Sequence, residues 1–184
     1  MRNVIFAINI TLDGCCDHTK VIPDDEVLEY FTDLTQEADL QVFGRKTYQL
    51  TVPYWPEVAK DQAASKADKE FAQAFVSLNK VVFSRSLDSV EDKNTRIVRT
   101  NLRDEILKLK QAPGKSILVG GVDVPSQLIE LGLVDEFRFA VWPIIAGEGR
   151  RLLEGVSLQE KLQLKLVDSK IFKSGCVALR YLKR

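Results

Sequence analysis

Ser116-Ile117-Leu118-Val119-Gly120-Gly121-Val122-Asp123-Val124-Pro125 is the stretch whose reading decides the fold. Its first four residues form a short apolar run that reads as a strand. A glycine pair follows, then Asp123 opens a helix with Pro125 in its first turn and Gly132 just past its end. A strand passing through paired glycines into a helix is a β–α junction. There the bare backbone approaches a pyrophosphate closely and the helix offers its N-terminus. The spacing is neither GxGxxG nor a phosphate loop ending in GK[ST].

The same alternation extends outward on both sides. Val4 to Leu12 is an apolar, β-branched run that stops at Asp13-Gly14, a turn signal. Asp24 or Asp25 caps a helix on which Val27, Leu28, Phe31 and Leu34 recur at helical spacing. Leu40 to Phe43 is a strand ending at Gly44, and Arg45 to Leu50 starts a helix. Thr51 to about Asp68 reads as an irregular stretch carrying Pro53-Tyr54-Trp55-Pro56, of the kind that forms lids or binding loops. A tryptophan anchoring that loop to the core is the equal alternative. A short helix is expected near Lys69 to Phe75, with strands at Lys80–Ser84 and Arg96–Arg99. Asn101 or Thr100 caps the helix carrying Leu102, Ile106 and Leu109. Glu136 to Ile145 alternates as a strand, and Leu162-Leu164-Leu166 and Val177-Leu179-Tyr181 form a C-terminal antiparallel hairpin. The expected fold is α/β: one domain over residues 1–184, with a mixed, mainly parallel sheet of about eight strands and flanking helices.

Composition bounds the partners. The chain has 184 residues, 45% hydrophobic, with 26 basic and 26 acidic residues in balance. A general affinity for nucleic acid or an anionic membrane would need a basic excess. No run approaches the roughly 18 apolar residues of a membrane span. The apolar start of the chain is broken by Asn9 and followed by Asp13, so it reads as a buried first strand rather than a secretory signal. Cys15, Cys16 and Cys176 are odd in number, and His18 alone completes no usual zinc set. They are expected to be reduced thiols in a cytoplasmic protein without a metal site.

In open sheets of this kind, ligands sit at the carboxyl ends of the strands. Gly44-Arg45-Lys46-Thr47 joins a strand to a helix start, where free N–H groups, a hydroxyl and two cations suit a phosphate. Ser84-Arg85 ends another strand, and a guanidinium beside a hydroxyl suits the 2′-phosphate of NADPH. With Gly120-Gly121, these make three phosphate-friendly junctions, which suggest one extended dinucleotide. Read singly, each also serves as an ordinary turn, cap or exposed loop.

Val4–Gly14, Val42–Tyr48, Val81–Arg85 and Ile117–Gly121 match, in order and spacing, the dihydrofolate reductase superfamily. Tyr54-Trp55-Pro56, Leu131–Phe137 and Pro143–Leu153 narrow the resemblance to the reductase domain of riboflavin biosynthesis proteins and its small stand-alone bacterial members. The resemblance covers essentially the whole chain. It implies a three-layer fold, an NADPH-dependent reductase of a small heterocyclic molecule, and a homodimer. Asn9 would lie beside the nicotinamide, with Gly14 in the loop over it. Gly44, Arg45, Lys46 and Thr47 would hold phosphates, Ser84 and Arg85 the adenosine end, and Val119, Gly120, Gly121, Val122 and Asp123 the pyrophosphate and ribose. The nearest named chemistry is 5-amino-6-(5-phosphoribosylamino)uracil reduction.

Two departures bear on the substrate. The carboxylate that anchors a pterin in dihydrofolate reductases falls at Leu28, which would leave pterin donors unpaired at about 1–3 kcal/mol each. Folate reduction is therefore not expected. The glutamate that precedes the paired glycine in the riboflavin branch is Val119 here. The substrate is then less polar, lined by Leu28 and Phe31, or is anchored by Asp13, Tyr48 or Trp55. Asp13 is the candidate catalytic acid; capping the turn with Gly14 is its plainer role. A non-catalytic NADPH-binding sensor dimer is the competing reading.

Overall fold

A computed structural model describes residues 1–17 and 23–184; His18 lies outside them. In chain order the elements are β1 (Val4–Thr11), α1 (Asp25–Gln36), β2 (Ala38–Gly44), α2 (Arg45–Thr51), α3 (Tyr54–Lys60) and α4 (Lys66–Ser77). β3 (Asn79–Phe83), β4 (Thr95–Val98), α5 (Leu102–Gln111), β5 (Ser116–Val119) and α6 (Asp123–Glu130) follow, then β6 (Glu136–Trp142), β7 (Leu164–Ile171) and β8 (Val177–Lys183). The eight strands form one sheet in the order β4-β3-β2-β5-β1-β6-β8-β7. Neighbours from β4 to β6 are parallel, and β8 is antiparallel to both β6 and β7.

Alternation along the strands builds two cores, one on each face. Val4 and Phe6 of β1, Val42 of β2 and Ile117 and Val119 of β5 pack against Ile106 of α5 and Val124 and Leu128 of α6. The intervening residues face the other way. Ile5 and Leu118 meet Leu34 of α1, and Phe43 and Val82 meet Tyr48 and Phe75. Each such side chain contributes about 1.5–3 kcal/mol by leaving water. The result is a three-layer α/β sandwich with the terminal hairpin on one sheet edge.

Three of the helices are capped by the side chains of Asp24, Ser65 and Asn101; Ser65 forms a capping box with Asp68. The stretch after Thr51 is more regular than its sequence suggests. Pro53 and Pro56 fall at the start of α3, where a missing N–H costs nothing, and the Lys/Ala/Asp-rich run that follows favours helix. α4 correspondingly starts at Lys66 rather than Lys69. β6 stops at Trp142 because Pro143 cannot donate to the ladder, and Leu162 precedes β7 rather than belonging to it. β7 is also less buried than a two-sided core strand: every residue after Leu164 is exposed. Among the described residues, no helix is long and apolar enough to cross a membrane.

Candidate functional site

Register determines which loops meet. Val42 lies opposite Val119 and Gly44 opposite Phe83, so Ser84 comes one residue beyond the partner of Gly44. On the other side of β5, Val119 lies opposite Phe6, but β1 runs on to Thr11 beside β6. The sheet therefore has a step at β5. The loops after β3, β2, β5 and β1 all open at this carboxyl edge, on four consecutive strands.

The junctions after β2 and β5 touch. Gly121 has φ +82°, and a Cβ built on it would collide with Oγ1 of Thr47 and lie 3.3 Å from its Cβ. Only glycine meets both requirements there. Gly44, Lys46, Thr47, Gly120, Val122, Asp123 and Val124 line a small cleft between the junctions. Unlike α1, α4 and α5, neither α2 nor α6 has a side chain capping its first turn. Their leading N–H groups are therefore left to water or a ligand. Arg45 is not among the cleft-lining residues; its guanidinium donates to Gln49 Oε1 at 3.2 Å. Val119 is buried, its side chain in the core beneath α6, so it offers the cleft only backbone.

Asp123 opens α6 and accepts from Arg150 Nη2 at 2.6 Å. That bond, with the charges of Arg150 and Lys46, holds its carboxyl below the usual range despite some burial. Both partners are about half exposed, so the pair contributes about 0.2–1 kcal/mol. The sequence reading did not single out Arg150, although two adjacent arginines directly after Gly147-Glu148-Gly149 were a signal.

Asp13 fastens the loop after β1 to the segment after β6. Its carboxylate accepts from Thr11 Oγ1 at 2.6 Å and from the N–H groups of Ala146 and Gly147 at 3.1 and 3.0 Å. Arg151 adds a bond to the Asp13 carbonyl and lies 3.4 Å from the carboxylate. The Thr11 hydroxyl and the two backbone donors hold the carboxyl far below the ordinary range. Asp13 thus accepts hydrogen bonds that hold two loops together, the turn-fastening role expected beside its candidacy as the catalytic acid. Cys16 N donates to Arg150 O, and Leu152 N to Gly14 O, joining the same two segments. Asn9 Oδ1 accepts from Trp142 Nε1 at 3.0 Å, which orients the amide on the α1 face.

At the β3 end, Ser84 Oγ accepts from the N–H groups of Ser86 and Leu87, forming a turn, and Arg85 is exposed beside it. The four candidate substrate residues are not brought together: Leu28 and Phe31 lie on α1, apart from Tyr48 and Trp55. Leu28 is buried on α1, and Phe31 packs against Tyr30. Tyr48 and Trp55 share the aromatic cluster of Phe43, Phe71 and Phe75. Trp55 thus anchors α3 to α4, its ring 4.5 Å from that of Phe71, while Tyr54 stays exposed. The three cysteines are free, and burial raises the Cys16 and Cys176 thiols to about 11.

Sheet order, the step at β5 and the cleft between the glycine junctions define a dihydrofolate-reductase-like α/β domain. The chain belongs to the RibD C-terminal domain family, which matches residues 2–178. It is 32% identical over 184 residues to YyaP of Bacillus subtilis (strain 168), covering 98% of this chain and 94% of that one. A pyrimidine reductase-like protein from Corynebacterium diphtheriae superposes with TM-score 0.67 at 17% identity, over 100% of this chain and 92% of the other. A Thermotoga maritima diaminohydroxyphosphoribosylaminopyrimidine deaminase/5-amino-6-(5-phosphoribosylamino)uracil reductase gives TM-score 0.69 at 17% identity, over 100% of this chain and 57% of the other. At that identity these likenesses establish the fold.

Proposed function

We propose that this protein is an NADPH-dependent reductase of a small heterocyclic substrate, its nearest named activity being 5-amino-6-(5-phosphoribosylamino)uracil reduction. One observation carries the reading: four loops with phosphate-friendly or glycine-bearing junctions end side by side on β3, β2, β5 and β1. From β3 to β1 is three strand spacings, roughly 14 Å, a span suited to an extended dinucleotide. The bare backbone at Gly120-Gly121 and the uncapped starts of α2 and α6 match phosphate oxygens. Arg85, exposed at the β3 end, suits the 2′-phosphate.

NADPH, when bound, supplies a hydride. The chain's own residues position it. Asn3 O accepts from Ile117 N, so by alternation the Ala7 carbonyl and the Asn9 peptide group face the β5 side of β1, past the last pair with β5, Phe6–Val119. That edge complements a carboxamide. Asp13, Arg151 and the Ala146-Gly147 backbone hold the neighbouring loop in place. A second copy of the chain is the proposed partner. Leu166 and Ile171 are 51% and 78% exposed on the edge strand β7, and such an edge invites cover.

The test is equilibrium binding of NADPH and NADH, followed by cofactor consumption with a panel of pyrimidine ribosides and pterins. The expected result is binding that favours NADPH, with Arg85→Ala erasing most of that preference. Absence of binding by either cofactor refutes the reading. Tight binding without turnover favours the non-catalytic sensor.

A further inference from the structure

Arg150 pairs with Asp123, a residue lining the cleft that the proposed function assigns to the dinucleotide, and the inference rests on that reading. We propose that this ion pair is displaceable: an incoming cofactor phosphate replaces Asp123 as the partner of Arg150. Asp123 then acts as a placeholder anion in the empty protein.

Three features point this way. Asp123 lines the cleft together with Lys46, Thr47, Gly44 and Gly120, so its carboxylate competes for the same donors as a phosphate. Two cations act on that carboxylate, Arg150 by contact and Lys46 through space. With Asp123 neutral, both become available to a ligand. The pair is also open to water, with side-chain exposures of 43% for Arg150 and 53% for Asp123, so exchange of partners needs no buried charge.

Arg150 is presented from a fixed backbone. Its carbonyl accepts from Cys16 N at 2.8 Å, and Cys15 bridges the adjacent Arg151 as an antiparallel pair. Gly149 has φ +97°, and a Cβ there would lie 2.7 Å from Cys15 Sγ, so the chain turns into Arg150 where a side chain would not fit. Asp13 clamps Ala146 and Gly147 just upstream. Only the guanidinium has to move. A phosphate offers it several oxygens and a paired geometry that one carboxylate oxygen does not. Glu154 also lies within electrostatic reach of Arg150, and it is unchanged in the variants below.

The experiment compares NADPH affinity, by fluorescence titration, for wild type, Asp123→Asn, Arg150→Ala and Arg150→Lys, with melting temperatures measured alongside. Both Asp123→Asn and Arg150→Ala break the same ion pair, so a merely structural tie would weaken binding in both. Displacement predicts opposite signs. Asp123→Asn should tighten NADPH about 3- to 10-fold, and Arg150→Ala should weaken it about 10-fold or more, with Arg150→Lys in between. If the two shift affinity in the same direction, or Arg150→Ala matches wild type, the placeholder role is overturned while the cofactor reading stands. If wild type binds no NADPH, the cofactor reading falls and this inference falls with it.

Discussion

Gly121→Ala tests the junction on which the cofactor site depends. The substitution acts in two ways. At φ +82° an L residue is strained by about 1–2 kcal/mol. The added methyl also collides with the Thr47 hydroxyl, and overpacking of this kind costs about 1–3 kcal/mol. A total near 3 kcal/mol corresponds to a fall in Tm of roughly 6–12 °C for a chain of this size. Forcing Thr47 aside also displaces the start of α2 from that of α6, so NADPH affinity should fall at least about 10-fold. Thermal melts and NADPH titrations read both effects. The double variant Gly121→Ala/Thr47→Ala relieves the collision but leaves the backbone strain, so it should recover part of the lost stability and no more. A Gly121→Ala protein that melts and binds like wild type would refute the argument. Failure of Thr47→Ala to restore anything would show that the contact is not its cause.

Other outcomes follow from charges placed by the fold. Lys80 is buried, with Nζ donating to the carbonyls of Val76 and Leu78 and lying 3.2 Å from Asp92. Asp92→Ala should cost about 2–4 kcal/mol by leaving that ammonium without its counter-charge, and Lys80→Met should cost less; chemical denaturation will show the order. The folded-state pKa of Asp13 is depressed, so between it and the ordinary value near 4 the unfolded chain binds more protons. Its stabilisation is therefore complete above about pH 4 and lost as pH falls, and Asp13→Asn should flatten the acid limb of a stability–pH curve. If the proposed dimer forms through this edge, Ile171→Asp on the exposed strand should shift the light-scattering mass to that of a monomer without lowering Tm in the monomer. An unchanged mass would reject the β7 edge as the interface.

Much of the architecture was legible in the sequence because it is carried by short-range patterns. Strand residues alternate or run apolar, helix caps announce themselves at Asp24 and Asn101, and Gly120-Gly121 marks a junction regardless of what lies around it. α3 escaped because two prolines mimic a loop, and only their position at the helix start makes them harmless. The role of Trp55 was undecidable from its neighbours in the chain, since Phe71 and Phe75 lie on the next helix.

The sequence by itself determined the order of strands and helices, the glycine-bearing junctions and the family of the chain, because each is written in neighbouring residues. The tertiary structure alone decided what those junctions face. Sheet order puts β5 between β2 and β1, so Gly121 abuts Thr47 although 74 positions separate them by number. It likewise carries Arg150 to Asp123 and Ala146 to Asp13. Hydrogen bonds and charges act through a few ångströms of space. Which groups share that space is set by strand register and crossover, which no local pattern records.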